Sequence, residues 1–125
     1  MHALILALVL AATLSLGIAK DCDYLDDDYR KIFDRHFYYY RLKYRCELEK
    51  EAYQYFVNRK EPPKGHYLVE RRYGNLKKRE LKQLVEKMIV KSMVKYKSSK
   101  AGCYIGEVLN GKEKQAIICV FASNY

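Results

Sequence analysis

A chain of 125 residues with 24 Lys and Arg against 15 Asp and Glu carries a formal net charge of +9, with thirteen tyrosines, four cysteines and no tryptophan. That length supports one hydrophobic core and excludes a multidomain assembly within the chain. The charge directs attention to anionic partners, namely an acidic protein, a glycosaminoglycan, an anionic lipid surface or nucleic acid, with a solvated surface as the plainer alternative.

Residues 1–19, MHALILALVLAATLSLGIA, contain no Lys, Arg, Asp or Glu and end in small residues before Lys20. This is the h-region and cleavage-site pattern of a secretory signal peptide. The apolar run is short for a bilayer span, and no basic stop-transfer cluster follows it. Removing 19 of 125 residues leaves 106, residues 20–125, as one secreted, extracellular, monomeric domain with no transmembrane segment. All four cysteines, Cys22, Cys46, Cys103 and Cys119, fall in that domain. An even number in an oxidising compartment implies two disulfides, with three possible connectivities.

From Leu25 to Tyr40 the residues Leu25, Tyr29, Ile32, Phe33, His36, Phe37 and Tyr40 recur at helical spacing, and Asp26, Asp27 and Asp28 suit the positive end of that helix. A second helix is expected over ELEKEAYQYFVNR (47–59), with Leu48, Ala52, Tyr55 and Phe56 inward, until EPPKG breaks it. HYLVERRYGN reads as either a loop or a short strand. Leu76 to Tyr96 lacks Gly and Pro and repeats Leu81, Leu84, Val85, Met88, Ser92, Met93 and Tyr96 at three and four, as one long amphipathic helix would. The chain then closes with two apolar runs around Asn110-Gly111, the signal of a hairpin with a type I′ turn. Helices followed by a terminal antiparallel pair define an α+β fold, a small domain with helices packed on a short sheet.

The chemistry-bearing residues are few. Outside the leading segment the histidines are His36, on the apolar stripe of the first helix, and His66, expected to be more exposed. Two histidines and a lysine can in principle cleave RNA by general acid–base chemistry, but nothing in their spacing supports it. With the cysteines committed to bridges, no ligand set for a metal converges. Glycines are scattered, so no phosphate loop exists, and no serine triad is evident. The expectation is a non-enzymatic binding protein with no catalytic residue, metal or cofactor. Its candidate binding patch is the basic middle of the chain, Arg59, Lys60, Lys64, Arg71, Arg72, Lys77, Lys78 and Arg79.

Several segments in order resemble the CAP superfamily of cysteine-rich secretory, antigen-5 and pathogenesis-related-1 proteins. IFDRHFYYYR (32–41) is similar to the first helix of that family and LKYRCELEKEAYQYF (42–56) to its second. HYLVERRYGNL (66–76) is similar to the stretch from a histidine to a Tyr-Gly-Glu-Asn motif, and KSSKAGC, NGK and IICVFASNY are similar to the closing Gly-Cys, hairpin and second cysteine. The resemblance implies a secreted α-β-α scaffold that binds lipid or an extracellular protein. It also implies a metal cleft reduced to a remnant, because His66 and Glu86 are the only candidate ligands and Gly74 runs straight into Asn75 where the motif glutamate would stand. Met88, Ile89 and Met93 are the residues that would help line a lipid groove.

The implied bridges are Cys22–Cys46 and Cys103–Cys119. A two-residue turn that places Leu109 opposite Lys112 sets Cys103 against Ile118, and a bulge or three-residue loop brings the two cysteines opposite. An alternative resemblance, carried by Tyr44-Arg45-Cys46 and the helix after it, is to small secreted fungal effectors with an inactive ribonuclease-like fold that bind host protein or RNA. It implies a bridge from Cys46 to the cysteine near the C-terminus, Cys119.

Overall fold

Asp26 starts the first helix by accepting a hydrogen bond from the Asp28 N–H at 3.1 Å, with Asp27 and Asp28 in the first turn of α1 (Asp27–Tyr39), where carboxylates oppose the helix dipole. The computed structural model describes residues 22–108 and 114–123, apart from the side chains of Met93, Val94 and Tyr96. The leading segment 1–19 and the Asn110-Gly111 turn lie outside those residues. After α1, Arg41 takes a left-handed conformation (φ 60°) and turns the chain into β1 (Lys43–Tyr44). Helix α2 (Cys46–Asn58) ends at Arg59, also left-handed, whose N–H donates to the Tyr55 carbonyl at 2.8 Å. Strand β2 (Tyr67–Tyr73), helix α3 (Lys78–Tyr96) and strands β3 (Lys100–Glu107) and β4 (Gln115–Ala122) follow.

The four strands form one sheet in the order β1-β3-β4-β2. β1 runs parallel to β3, and the other two pairings are antiparallel. The two central strands alternate toward two different cores. Cys103, Ile105, Ile117, Cys119 and Phe121 pack with Ile32, Phe33 and Phe37 of α1 and Val85, Met88 and Ile89 of α3. Ile118, Val120 and Ala122 pack on the other side against Leu48 and Ala52 of α2. A strand covered on both faces has no polar face to show, which is why AIICVFA is apolar without interruption. The fold is α+β, with helices α1 and α3 on one face of a mostly antiparallel sheet and α2 on the other.

Two disulfides hold it, Cys22–Cys46 (Cα–Cα 5.1 Å) and Cys103–Cys119 (Cα–Cα 4.1 Å). Cys103 lies directly opposite Cys119 in the β3–β4 register. An uninterrupted two-residue turn would have set it against Ile118, so the strands are one residue out from that simplest expectation. The Cys46–Cys119 bridge implied by the ribonuclease-like alternative is not the one formed. On the chain-entropy account each bridge contributes about 3 kcal/mol.

Gly102 lets helix and sheet meet. A Cβ at this position would lie 2.3 Å from the Glu49 backbone nitrogen and 2.6 Å from the Arg45 carbonyl oxygen, so α2 rests its first turn on the bare backbone of β3.

Of the two readings of HYLVERRYGN the strand is the one formed, because β4 supplies a partner along seven positions. The two-residue β1 was not expected and exists through its pairing with Lys100 and Ala101. Met88 and Ile89 are 4% and 0% exposed. They fill the core between α3 and the sheet instead of lining a lipid groove.

Candidate functional site

The most elaborate polar constellation among the described residues is buried. Glu49, in the first turn of α2, is 0% exposed. Its Oε1 accepts from Arg30 Nε at 3.1 Å and from the Tyr44 hydroxyl at 2.6 Å, and its Oε2 accepts from the Tyr24 N–H at 3.2 Å. Arg30 also donates to the Cys22 carbonyl at 2.8 Å, to the Leu25 carbonyl and to Asp27. The Tyr44 hydroxyl accepts from the Cys103 N–H at 3.4 Å, which links the network to β3.

Burial opposes the charge on Arg30, but the hydrogen bond and charge of Glu49 hold its pKa above the ordinary value. Burial and then the bond to Glu49 raise that of Tyr44. A charge pair removed from water persists only when its remaining hydrogen-bonding capacity is met, and this one is met by five further partners, Tyr24, Tyr44, Cys22, Leu25 and Asp27. The cluster ties the N-terminal segment, α1, β1, α2 and β3 together. Its central carboxylate, Glu49, is closed off from solvent and only the peripheral Asp27 is exposed, so the cluster serves as a structural rivet.

The two residues expected as a cleft remnant are not brought together. His66 Nδ1 lies 2.7 Å from Glu51 Oε1, on the α2 side of the sheet. Glu86 accepts from the Tyr40 hydroxyl at 3.0 Å in the α1/α3 layer. His66 is also less exposed than its position after Gly65 suggested, being half-buried against α2. His36 sits in the α1/α3 layer, so the two histidines occupy opposite faces and cannot serve one substrate. Among the described residues no group of three or more His, Cys, Asp or Glu side chains could hold a metal ion.

Burial lowers the pKa of His36, Glu86 partly offsets this, and Lys82 and Arg35 add to the lowering. A folded-state pKa below the unfolded value means that stability is intact above about pH 6.5 and falls as pH drops below it, because the unfolded chain takes up the proton more readily. The variant His36→Gln should therefore lose less stability than the parent between about pH 7 and 5, read as the urea midpoint at each pH. Superimposable profiles would show the imidazole to be fully hydrated.

The basic middle of the chain is also divided. Arg59 and Arg72 both pair with Glu70, at 3.4 and 3.2 Å. Arg71, next in alternation, points to the other face of the sheet and lines a cleft with α3. Lys60 and Lys64 are exposed in the connection after α2, while Lys77, Lys78 and Arg79 are exposed at the start of α3. Lys78 borders a hollow with Asp26 and Asp28. These eight cations do not make one surface.

A different surface stands out. Tyr38 and Tyr39, consecutive at the C-terminal end of α1, are 85% and 78% exposed. The Tyr39 ring meets Tyr40 edge-on at 5.1 Å, and Tyr40 is fixed through its hydroxyl to Glu86. One turn along α3, Val90 is 40% exposed and shares a shallow groove with Gln83, Glu86, Lys87 and Lys91. Arg35 and Arg41 lie within one helical turn of the two tyrosines in sequence, and Lys82 lies one turn before Glu86 on α3. Exposed tyrosines with a polar, cationic rim have the composition of a protein-recognition surface. Sequence reasoning passed over it because FYYYR has both helical and strand character. The usable signal was the helical phase, which places Tyr38 and Tyr39 off the stripe of Phe33 and Phe37.

The chain is thus a small disulfide-bonded α+β domain, and no helix among the described residues is long and apolar enough to cross a membrane. No protein-family model matches it, and no curated protein does. Among solved structures it is similar to the crystal structure of the hookworm platelet inhibitor, with a TM-score of 0.51 and 18% sequence identity over 85% of this chain and 75% of that one. At that identity the likeness is one of fold.

Proposed function

We propose that this chain is a secreted, non-enzymatic binding protein on a degenerate CAP-like scaffold that recognises an extracellular protein through the tyrosine edge of α1. The observation that carries the reading is the exposure of Tyr38 and Tyr39 beside the fixed Tyr40–Glu86 pair. Two rigid aromatic side chains held on a helix end provide large contact area at small entropic cost, the property of interface anchors. The cationic rim favours an acidic partner surface. Helices on both faces of the sheet and the Cys22–Cys46 and Cys103–Cys119 bridges support the CAP-like scaffold over the ribonuclease-like one. The separation of His36 from His66 supports a binding role over catalysis, and the burial of Met88 and Ile89 argues for a protein over a lipid ligand.

The similar hookworm protein is a platelet inhibitor, so platelets are the first probe. Labelled mature protein should bind them saturably, and Tyr38→Ala/Tyr39→Ala should weaken that binding at least about tenfold, the effect of losing one or two anchors, with an unchanged thermal midpoint. Saturable binding that survives the double substitution would overturn the tyrosine edge as the recognition surface. Absence of binding to platelets and to a panel of extracellular proteins would overturn the binding role.

A further inference from the structure

The cations of this protein are most usefully ordered where sequence order does not show it. On α3, Lys87, Lys91 and Lys95 follow one another at four-residue intervals and are all exposed. At 1.5 Å per residue they form a line of about 12 Å. Alongside, the exposed Arg71 of β2 meets Lys91 and Lys95 across a cleft of about 260 Å³ whose floor includes Leu68, Val69 and Met88. Among the described residues neither Arg71 nor Lys91 has an ion-pair partner. The two carboxylates flanking the line are engaged elsewhere, Glu70 with Arg59 and Arg72, and Glu86 with Tyr40. The alternation of β2 turns Arg71 toward α3, while Glu70, which also borders the cleft, is held in its pairs with Arg59 and Arg72.

We infer that the cleft between β2 and α3 binds a linear sulfated polysaccharide, its sulfate groups lying along Lys87, Lys91 and Lys95 with Arg71 closing the opposite side. The chemistry favours this occupant over other polyanions. A row of cations matches charge that recurs along a line, and the attraction is that of any polyanion releasing counterions to fixed cations. Among the described residues the cleft lining contains no aromatic ring, whereas proteins that hold single-stranded nucleic acid supply stacking platforms. The site is concave, whereas a lipid surface is met by an exposed plane. Lys87 and Lys91 also border the groove beside Val90, but Tyr38 and Tyr39 lie outside the cleft. Tyr38→Ala/Tyr39→Ala should therefore leave heparin binding unchanged, which separates this inference from the proposed protein recognition. Occupied, the cleft would hold the protein near a cell surface or matrix.

The test uses the oxidised mature protein and heparin as probe, with titrations across a range of salt concentrations. Arg71→Gln/Lys91→Gln/Lys95→Gln is compared with Lys77→Gln/Lys78→Gln/Arg79→Gln, which removes the same charge from the start of α3. The cleft variant should raise Kd for heparin at least about tenfold and lower the slope of log K against log salt by about three. The control should change Kd less than about threefold. Lys91→Glu, a single exposed change, should reproduce the direction if the triple variant folds poorly. Equal weakening in both triple variants would overturn the cleft in favour of net charge alone. A charge-matched DNA duplex, or phosphatidylserine vesicles, bound as tightly as heparin and lost with the same cleft residues would overturn the polysaccharide assignment.

Discussion

Replacing Glu49 by Gln is expected to lower unfolding free energy by about 3–5 kcal/mol, the cost of leaving a buried charge without its partner. The substitution keeps the shape of the side chain and removes what Arg30, Tyr44 and the Tyr24 N–H are arranged to meet. The amide has one oxygen to offer three donors, and its NH₂ group is itself a donor among donors. Arg30 would keep its bonds to Cys22, Leu25 and Asp27, yet its Nε would face a neutral group in a site with no access to water. Urea unfolding at constant slope measures the loss. The double variant Arg30→Met/Glu49→Leu should recover most of it, since an apolar pair of similar volume often replaces a buried ion pair at little net cost. A loss under about 1 kcal/mol for Glu49→Gln would mean that the carboxylate is hydrated and the network is not what holds the layers together.

Gly102→Ala is the second large effect and comes from a different cause. Overpacking usually costs about 1–3 kcal/mol because side chains can shift. Here the added methyl meets backbone, the Glu49 nitrogen at 2.3 Å and the Leu48 carbonyl carbon at 2.7 Å. The helix must move off the strand, and moving it also pulls Glu49 away from Arg30. The expected loss is therefore above about 3 kcal/mol, with expression of folded, oxidised protein sharply reduced. Gly106→Ala is the comparison. The three atoms nearest its Cβ all belong to the Phe56 ring, a half-buried side chain that can swing aside, so its cost should stay within the usual range. Thermal midpoints of the two variants decide the matter, and equal midpoints would show that α2 slides easily over β3.

The elements whose cause is local were legible in the sequence. The stripes of Ile32, Phe33 and Phe37, of Leu48 and Ala52, and of Leu81, Val85 and Met88 announce their helices, and the apolar run from Ala116 to Ala122 announces a strand of the closing hairpin. What could not be read was set by distant partners. Strand β1 is two residues long and defined only by β3, more than fifty positions away. The face of β2 carrying Arg71 differs from that carrying Glu70 and Arg72, so a basic run in one dimension becomes two surfaces in three. Glu49 looks like any solvated helix glutamate until Arg30, nineteen residues earlier, is placed beside it. His66 and Glu86 were paired by the family pattern and separated by the thickness of the sheet. The cysteine pairing is intermediate, since Cys103–Cys119 depends on a register that a turn motif alone places one residue out.

The placement of β3 and β4 at the middle of the sheet has a consequence for how the protein is made. Both strands follow the three described helices, so α1, α2 and α3 leave the ribosome before the surface they cover exists. Domains can fold as they emerge, but here the helices have nothing to dock on until the hairpin is released. Cys22 and Cys46 are available much earlier than Cys103 and Cys119. Oxidation during synthesis is therefore free to close the first bridge on an unfinished chain, while the second forms only with the sheet itself. Arrest of synthesis between Tyr96 and Cys119 would thus yield helices with exposed apolar faces, a species for chaperones to hold rather than a partly working domain.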